Sequence, residues 1–243
     1  MTAPPPEVVL SLVVPVRDER ENLEPLVREL DQVLEPAANG IEILFVDDGS
    51  RDGSREIIAR LSHERPHVRG LRLREGRGQT AALDAGFKAA RGRFVVTLDG
   101  DLQNDPRDIG RLVAALAEHD AAVGYRAARH DPWTRRIAAR LANALRNALT
   151  GDDIIDTGCS LKAFRRECLL GLQLHDGMHR FLPTLLRLQG RSVVQLPVGH
   201  RPRRAGRAKY GIVDRAFRTL ADVWAVRWMV KRRLDYELDR EGP

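Results

Sequence analysis

Short apolar runs alternate with amphipathic segments along the first half of the chain. Five runs rich in Val, Ile and Leu have the length and β-branched content of buried strands: residues 8–16, 41–46, 68–73, 94–98 and 121–125. The segments between them carry apolar residues at helical spacing, which indicates crossover helices. Strands joined by helices in this way predict one α/β domain with a doubly wound, mostly parallel sheet.

A polar loop follows each of the first four predicted strands. These loops cover residues 17–20, 47–52, 75–79 and 99–103. In an open parallel sheet, the carboxyl ends of the strands lie along one rim, and such sheets bind their ligands there. We therefore expect the four loops to converge on one site.

Two carboxylates one residue apart, Asp99 and Asp101, stand at the end of the fourth predicted strand. We expect Gly100 between them to let the backbone turn, so that both side chains face one point. Such a pair suits Mg²⁺ or Mn²⁺, which bind through one or two carboxylates plus substrate phosphates. Gln103 offers a neutral third contact, so the sequence predicts a divalent metal site here.

The acidic loops also have structural explanations. The Asp105–Pro106 pair is a good helix start, so the preceding acids could belong to a helix-capping turn. Asp47 and Asp48 could be ordinary turn residues, or they could accept hydrogen bonds from a base or a ribose. The expected convergence of the loops favours the binding explanations.

The third loop is rich in glycine and basic residues. Residues 75–80 read Glu-Gly-Arg-Gly-Gln-Thr and open a predicted helix at residues 81–90. A loop of this kind at a helix N-terminus is expected to face phosphate groups. It has no Gly-Lys-Ser/Thr sequence and is not a P-loop.

Composition limits the class of protein. The chain has 243 residues and 43% hydrophobic content, enough for one large domain with a sizeable core. Cys159 and Cys168 show neither disulfide-framework nor zinc-site spacing, which fits a reducing cytosol. The sequence has neither a secretory signal nor an uncharged apolar run of about 18 residues. We expect a cytoplasmic protein without a spanning helix.

The net charge of +6 is unevenly distributed. Residues 201–240 contain twelve Lys or Arg and five Asp or Glu, a local charge of +7. Charge alone admits nucleic acid, anionic lipid or a phosphorylated substrate as partner. Aromatic content of 5%, without aromatic and basic residues interleaved in the main domain, counts against single-stranded nucleic acid. We expect no nucleic-acid partner.

Residues 212–238 predict one basic amphipathic helix. Its apolar stripe consists of Val213, Phe217, Leu220, Trp224 and Trp228. The helix could rest on an anionic membrane, dock on a membrane-spanning partner or a second copy of the chain, or pack on its own domain. The predicted organisation is a disordered segment at 1–7, the main domain at 8–211, and this helix with a tail at 212–243.

Several of these segments together resemble family 2 glycosyltransferases of the dolichol- and polyprenyl-phosphate sugar synthase branch. The resemblance spans roughly residues 8–211. It is carried by residues 15–19 (Pro-Val-Arg-Asp-Glu), 46–54 (Val-Asp-Asp-Gly-Ser-Arg-Asp-Gly-Ser), 78–86 (Gly-Gln-Thr-Ala-Ala-Leu-Asp-Ala-Gly), 98–103 (Leu-Asp-Gly-Asp-Leu-Gln), 123–126 (Val-Gly-Tyr-Arg), 156–164 (Asp-Thr-Gly-Cys-Ser-Leu-Lys-Ala-Phe) and 200–211 (His-Arg-Pro-Arg-Arg-Ala-Gly-Arg-Ala-Lys-Tyr-Gly). The chain departs from the branch at Tyr125, at Ser160–Leu161, where Gly-Phe is common, and at Ala208, where Ser is usual.

The resemblance implies an inverting transfer of a sugar from a nucleotide diphosphate sugar to a polyprenyl or dolichyl phosphate. The implied fold is the single-domain glycosyltransferase A type. The implied nucleotide-binding residues are Pro15, Glu19, Asp47, Asp48, Gln79, Arg135, Arg136 and Arg203. The implied metal ligands are Asp99, Asp101 and Gln103, and the candidate catalytic residues are Asp101, Arg126 and Lys209, the last two as phosphate contacts.

The chemistry is consistent with that implication. A phosphate monoester acceptor is already ionised at neutral pH, because its second pKa is about 6, so no strong general base is required. Cations are required, and six arginines lie between residues 126 and 146. We expect Arg140 and Arg146 to lie on the solvated face of a helix at 133–149. The alternative functions are a glycosyltransferase with a saccharide hydroxyl acceptor and a non-catalytic nucleotide-sugar-binding protein at the membrane.

An enzyme that uses a membrane-embedded lipid must reach the bilayer. The predicted location is therefore the cytoplasmic face of a membrane, with peripheral contact to lipid or to a membrane-spanning partner. A homo-oligomer is compatible with the docking explanation of the C-terminal helix.

Overall fold

A computed structural model describes residues 8–35, 40–127, 143–144, 146–202 and 212–232, with side chains described from residue 221 onward in the last segment. Its centre is a seven-stranded sheet with strand order β3-β2-β1-β4-β6-β5-β7. The strands are β1 (Leu10–Val16), β2 (Ile41–Asp47), β3 (Val68–Arg72), β4 (Phe94–Thr97), β5 (Ala121–Arg126), β6 (Lys162–Arg165) and β7 (Val193–Val198).

Six α-helices accompany the sheet in the described part of the chain. They are α1 (Arg20–Leu34), α2 (Ser54–Glu64), α3 (Gln79–Ala89), α4 (Ile109–Ala115), α5 (Leu182–Leu188) and α6 (Ile212–Lys231). A further helical stretch covers residues 146–150. Short 3₁₀ helices cover Pro106–Asp108, Arg166–Cys168 and Met178–Phe181.

The predicted mostly parallel, doubly wound sheet is confirmed. β1 pairs in parallel with β2 and β4, β2 with β3, and β5 with β7. β6 runs antiparallel between β4 and β5. The chain moves outward from β1 to β3 and then returns to β4 on the other side of β1. The switch in direction therefore lies between β1 and β4, which is where open α/β sheets form their ligand crevice.

Both faces of the sheet are covered. One core cluster joins β1, β2 and β4 to α1, α2 and α4, and a second joins the opposite faces of these strands to α3 and α5. Phe45 and Phe164 are among the largest fully buried side chains. Strands buried on both faces explain the nearly continuous Val, Ile and Leu runs of β1 and β2.

Helix α6 packs on the rest of the domain through one face. Val223 and Val226 are buried in a third cluster with Met178, Phe181 and Leu185. Trp224 and Trp228 lie on the other face and are 63% and 65% exposed. The helix thus packs on its own domain through the face centred on Val226. The two tryptophans of the predicted apolar stripe face solvent, so membrane or partner contact concerns that other face. Within the described residues, no helix is both long enough and apolar enough to cross a bilayer.

The expectation for Arg146 is wrong. This side chain is only 6% exposed and donates hydrogen bonds to Asn147 and to the carbonyl oxygen of Ile154. The loop that follows residues 146–150 folds back over the helical stretch and covers the guanidinium. Arg140 lies outside the described residues, as do residues 1–7.

Candidate active site

The Asp99–Asp101 turn lies at the end of β4, at the switch in strand direction. The turn differs from our expectation in one respect, because the residue with a positive φ is Leu102 (φ 62°), whereas Gly100 is absent from the positive-φ residues. A left-handed conformation is uncommon for a bulky residue and costs roughly 1–2 kcal/mol. Leu102 is buried, so core packing holds the turn in this conformation.

Asn104 holds the turn through its side-chain amide oxygen. Its Oδ1 accepts hydrogen bonds from the backbone N–H of Asp99 at 3.1 Å and from the Ser160 hydroxyl at 3.0 Å. Asp105 caps the following 3₁₀ helix by accepting the backbone N–H of Arg107 at 3.1 Å. The predicted cap is therefore present, and it uses Asp105 while Asp99 and Asp101 remain in the turn.

The two turn carboxylates crowd each other. Burial, and secondly the negative charge of Asp101, raise the pKa of Asp99 above its ordinary value, and the nearby Ser160 and Lys162 only partly offset this. Asp101 is buried and accepts the backbone N–H of Gln103 at 3.3 Å. A divalent cation would relieve the repulsion between these like charges, so the donor set fits Mg²⁺ or Mn²⁺.

Gln103 is held by the segment that follows β7. Its backbone carbonyl accepts the N–H of Arg201 at 2.9 Å, and its side-chain Nε2 donates to the Arg201 carbonyl at 3.2 Å. His200 Nε2 lies 3.4 Å from the same amide nitrogen. Because the amide nitrogen faces this segment, the amide oxygen of Gln103 is the atom that could bind a cation.

Asp48, the second acid of the Asp47–Asp48 pair, fixes the glycine-rich loop. Its carboxylate accepts the backbone N–H of Arg77 at 2.6 Å and of Gly78 at 3.0 Å. Gly49 has φ +78°, and its Cα faces the backbone of Gly76 so closely that a Cβ would lie 3.0 Å from the Gly76 nitrogen. Asp48 thus holds the 75–78 loop against the end of β2. This loop leads directly into α3.

Asp47 is placed differently. One carboxylate oxygen accepts the backbone N–H of Ser50 at 2.9 Å. The other, Oδ2, is buried and has no hydrogen-bond partner within the described part of the chain. Buried acceptors without a donor are uncommon in folded proteins. Asp47 therefore offers a ligand a buried acceptor, whereas Asp48 already has its donors.

The first two loops interlock through backbone donors. The N–H groups of Asp18 and Glu19 donate to the hydroxyls of Ser50 and Ser54 at 2.9 and 3.0 Å. In return, Asp18 Oδ1 accepts the N–H of Arg51 at 2.7 Å. This exchange fixes the 17–20 loop, and with it Glu19, beside the end of β2.

A cavity of about 100 Å³ opens beside the Asp99 side chain. Residues of five segments line it, among them Pro15, Gln79, Asp99, Ser160, Lys162 and Arg180. Gln79 Nε2 donates to Asp99 Oδ1 at 2.9 Å. Two of the four loops predicted to converge on one rim thus reach this cavity, through Gln79 and Asp99. The lining segments at residues 157–162 and 179–182 were not among the predicted loops.

Arg126 at the end of β5 forms a two-point ion pair with Asp156. Its Nε lies 2.7 Å from Oδ2 and its second terminal nitrogen 2.9 Å from Oδ1. Asp156 also accepts the N–H of Gly158 at 3.1 Å, which shapes the 156–160 loop at the cavity wall. The phosphate contact that we expect from Arg126 stays a prediction, and the structure adds this structural role.

Lys162 is a buried cation within the 156–164 segment, and we assigned it no role from the sequence. Its Nζ donates to the Cys159 carbonyl, and burial lowers its pKa. His179 and Arg180 were also missed, because they belong to none of the selected segments and only the tertiary fold brings them to the cavity. Thr80, in the first turn of α3, contacts His179. Arg135, Arg136, Arg203 and Lys209 lie outside the described residues, so their expected roles stay predictions.

The sequence profile of glycosyl transferase family 2 matches residues 11–171, which include β1 to β6 and the Asp99–Asp101 turn. The chain belongs to this family. It is therefore a glycosyltransferase, and the crevice between β1 and β4 is its candidate active site.

Two curated relatives support the membership of this family 2 chain. A dodecaprenyl-phosphate galacturonate synthase from Rhizobium johnstonii is 37% identical over 231 residues, 91% of this chain and 67% of that protein. An undecaprenyl-phosphate 4-deoxy-4-formamido-L-arabinose transferase from Aeromonas hydrophila is 36% identical over 207 residues, 84% of this chain and 64% of that protein. The chain thus spans about two thirds of the length of these relatives.

Solved structures support the glycosyltransferase A fold. A glucosyl-3-phosphoglycerate synthase from Mycobacterium tuberculosis, in complex with Mn²⁺, UDP and phosphoglyceric acid, superposes with a TM-score of 0.67 at 22% identity, covering 94% of this chain and 80% of that one. A mannosyltransferase from Pyrobaculum calidifontis, in complex with GDP-mannose and Mn²⁺, gives 0.66 at 22% identity, covering 93% and 65%.

One other group of possible metal ligands occurs among the described residues. Asp120, Glu167 and Cys168 have ligand atoms within 4.8 Å of one another. The group lies beyond the amino-terminal end of β5, away from the family 2 active-site crevice. Asp120 Oδ2 already accepts the backbone N–H and the hydroxyl of Ser192 at 2.9 and 3.1 Å. This cluster therefore does not compete with the Asp99–Asp101 turn as the candidate metal site.

Proposed function

We propose that this family 2 enzyme transfers a sugar, with inversion, from a nucleotide diphosphate sugar to a polyprenyl phosphate. The observation that carries the proposal is the crowded Asp99–Asp101 pair beside the cavity at the strand switch. Two relatives that are more than a third identical to this chain are named for polyprenyl-phosphate acceptors. A carboxylate pair of this kind suits a diphosphate donor bound with a divalent cation.

The transfer needs no added proton donor or acceptor. An oxygen of the acceptor phosphate bonds to the anomeric carbon of the sugar, while the bond from that carbon to the β-phosphate oxygen breaks. The bonding electron pair stays on the leaving diphosphate. The acceptor is already ionised near neutral pH. The protein must therefore orient two anionic groups, and a general base is unnecessary.

Asp99, Asp101 and the amide oxygen of Gln103 would hold Mg²⁺ or Mn²⁺. When bound, such a cation acts as a Lewis acid that stabilises the negative charge of the diphosphate. Gln79 orients Asp99 through its 2.9 Å hydrogen bond, and Asn104 orients the turn. These residues fix the carboxylates before the donor arrives.

The nucleoside is assigned to the crevice at the ends of β1 and β2. Asp47 Oδ2, which is buried and has no partner among the described residues, would accept an N–H of the base or a ribose hydroxyl. Pro15 lines the neighbouring cavity, and the 17–20 loop that follows it holds Glu19 beside the end of β2 through the Ser54 hydroxyl. Asp48 contributes by holding the glycine-rich loop at the helix α3 N-terminus, which is expected to face phosphate.

The exposed face of α6 is assigned to the cytoplasmic surface of an anionic membrane. Trp224 and Trp228 project from it, and Lys231 and Arg232 are exposed at its C-terminal end. Basic residues near an anionic surface contribute about 1 kcal/mol each. Tryptophan side chains favour the polar boundary of the bilayer. The helix would thus bring the active site close to the phosphate of the lipid acceptor.

Vesicle sedimentation tests the membrane assignment. The protein should sediment with anionic vesicles, less so as salt concentration rises, because salt screens the attraction. The Trp224→Glu, Trp228→Glu double variant should lose sedimentation. A matched control introduces the same charges at the exposed apolar residues Ile155 and Leu170. Equal behaviour of both double variants, or a wild type that ignores vesicles, would contradict the assignment.

The enzymatic proposal is tested by transfer from UDP- and GDP-sugars to undecaprenyl phosphate in detergent, with Mn²⁺ or with EDTA. We expect a lipid-linked sugar product with the cation and a loss of product with EDTA. A parallel reaction offers a saccharide with free hydroxyl groups as acceptor. Transfer to the saccharide and not to the lipid phosphate would overturn the assigned acceptor.

A further inference from the structure

The 177–181 segment contributes to the cavity that Asp99 also lines. It is the 3₁₀ helix Met178–Phe181 with Gly177 before it. Met178 and Phe181 are buried in the cluster that also contains α6 residues. These two anchors fix the backbone between them. His179 and Arg180, which lie between the anchors, are half-buried and line the cavity together with Asp99.

The first turn of α3 contacts both Asp99 and the 177–181 segment. The Thr80 hydroxyl accepts the backbone N–H of Gly177 at 3.0 Å and lies 2.7 Å from His179 Nδ1. The preceding residue, Gln79, donates to Asp99 at 2.9 Å. Gln79 and Thr80, which are adjacent in this turn, therefore help to position Asp99 and the segment that carries Arg180, respectively.

A cationic side chain close to the metal site would stabilise the leaving group. When the sugar departs, the diphosphate gains negative charge at its β-phosphate, more than one divalent cation neutralises. Arg180 lines the same cavity as Asp99. Arginine suits phosphate because its planar guanidinium donates two parallel hydrogen bonds.

We propose that Arg180 binds the diphosphate of the donor within the cavity that it shares with Asp99, with Thr80 as the residue that positions it. The assignment rests on the proposed function, since it presumes a nucleotide diphosphate donor. Arg180 would stabilise the electron pair left on the β-phosphate oxygen when the bond to the anomeric carbon breaks. It adds a donor-binding residue from the segment after β6 to those on the first four loops.

Equilibrium binding of the free nucleotide tests this without any lipid. Wild type, Arg180→Gln and Arg180→Lys are titrated with UDP and GDP, and with uridine and guanosine, in the presence of Mn²⁺. Charge-assisted hydrogen bonds are worth about 1.5–3 kcal/mol, so we expect Arg180→Gln to bind the diphosphate about 10- to 100-fold more weakly. Nucleoside binding should not change, and Arg180→Lys should recover part of the loss. Thr80→Val should give a smaller loss of the same kind.

Arg93→Gln is the matched control, because it removes the same charge from an exposed residue next to β4, at the end opposite the cavity. Equal affinity of Arg180→Gln and the control for the diphosphate would overturn the proposal. An equal loss for nucleoside and diphosphate would also overturn it, since it would indicate a structural role. A wild type that binds neither nucleoside diphosphate would refute the proposed function itself, and this inference with it.

Discussion

Two pairs of acids follow strands in this enzyme, and the fold uses them in different ways. Asp48 of the first pair accepts two backbone N–H groups of the glycine-rich loop. Asp99 of the second pair lies near Asp101, and burial and that like charge raise its pKa. In the first pair, Asp48 gains stability from hydrogen bonds within the protein. The second is held in an unfavourable arrangement that a bound cation would relieve.

Comparison of the two pairs shows that an acid at the end of a strand does not by itself indicate a metal site. Asp48 is surrounded by N–H groups of the 75–78 loop. Asp99 and Asp101 also accept hydrogen bonds, from Gln79 and from the Gln103 N–H, yet burial and like charge still raise the pKa of Asp99. Repulsion between like charges, which a cation would relieve, is the feature that marks the second pair as the candidate cation site.

The largest effect is expected for Asp101→Asn. Loss of one charge from the cation site should cost several kcal/mol of diphosphate stabilisation, which corresponds to a fall in transfer rate of about 10³-fold or more. The fold should remain intact, because like-charge repulsion is reduced. Transfer assays and circular dichroism measure the two effects. Asp84→Asn on α3 is the control, and wild-type turnover in Asp101→Asn would exclude the metal assignment.

The next effect concerns Arg126. Arg126→Ala leaves the buried Asp156 without its partner, so we expect a loss of about 3 kcal/mol in the free energy of unfolding. Adding Asp156→Asn should restore much of this stability. If Arg126 also contacts phosphate, the double variant will remain poor in transfer but normal in nucleotide binding. Recovery of both stability and transfer would limit Arg126 to its structural role.

Lys209→Ala is the companion to this variant. We expect it to impair transfer to the lipid phosphate while nucleotide affinity, measured without acceptor, is unchanged. Steady-state kinetics with a lipid-phosphate acceptor provide the measurement. Unchanged kinetics would place Lys209 away from the phosphate groups.

Asp48→Ala tests whether the first pair contributes to the stability of the fold. Two backbone N–H groups would lose a charged acceptor, so the free energy of unfolding should fall by about 2 kcal/mol in urea denaturation. Cation binding at Asp99 and Asp101 should persist at temperatures where the variant is folded. A variant as stable as wild type would show that the glycine-rich loop does not depend on Asp48.

The smallest effect is expected for Asp99→Asn without added metal. Because the pKa of Asp99 is raised in the folded state, its ionised form disfavours folding, and this cost disappears as pH falls toward the unfolded-state pKa of about 3.9. At pH 7 the variant should therefore unfold at the same or a slightly higher temperature than wild type. The difference should shrink as pH falls. A clear destabilisation at pH 7 would contradict the crowding of the pair.

Sequence patterns predicted β1, β2, β4 and β5 because these strands are largely buried and therefore nearly continuously apolar. β3 was also predicted, although it is an edge strand whose burial alternates. β6 was missed because it has four residues and begins with a buried lysine, Lys162, which no hydrophobic pattern would include. β7 was missed because it is an edge strand in which Gln195 and Pro197 interrupt the apolar run. A partly exposed edge strand such as β7 has a weaker apolar pattern in its sequence than a fully buried strand.

The candidate site was predictable where its residues follow strands in sequence, as Asp47 and Asp99 do. Leu102 was not predictable as the left-handed residue of the turn, since glycine is the usual choice and core packing decides otherwise. Arg146 was misplaced because helical spacing does not show that a following loop folds over the side chain. Thr80 and His179 are 99 residues apart, and only tertiary structure brings them together.

Calorimetric titration of Mn²⁺ in the presence of UDP or GDP distinguishes the two acidic pairs as cation sites. We expect wild type to bind one Mn²⁺, Asp99→Asn and Asp101→Asn to lose this binding, and Asp48→Ala to retain it while folded. Loss of binding in Asp48→Ala with retention in the Asp99 and Asp101 variants would place the cation at the other acidic pair and exclude the site proposed at Asp99 and Asp101.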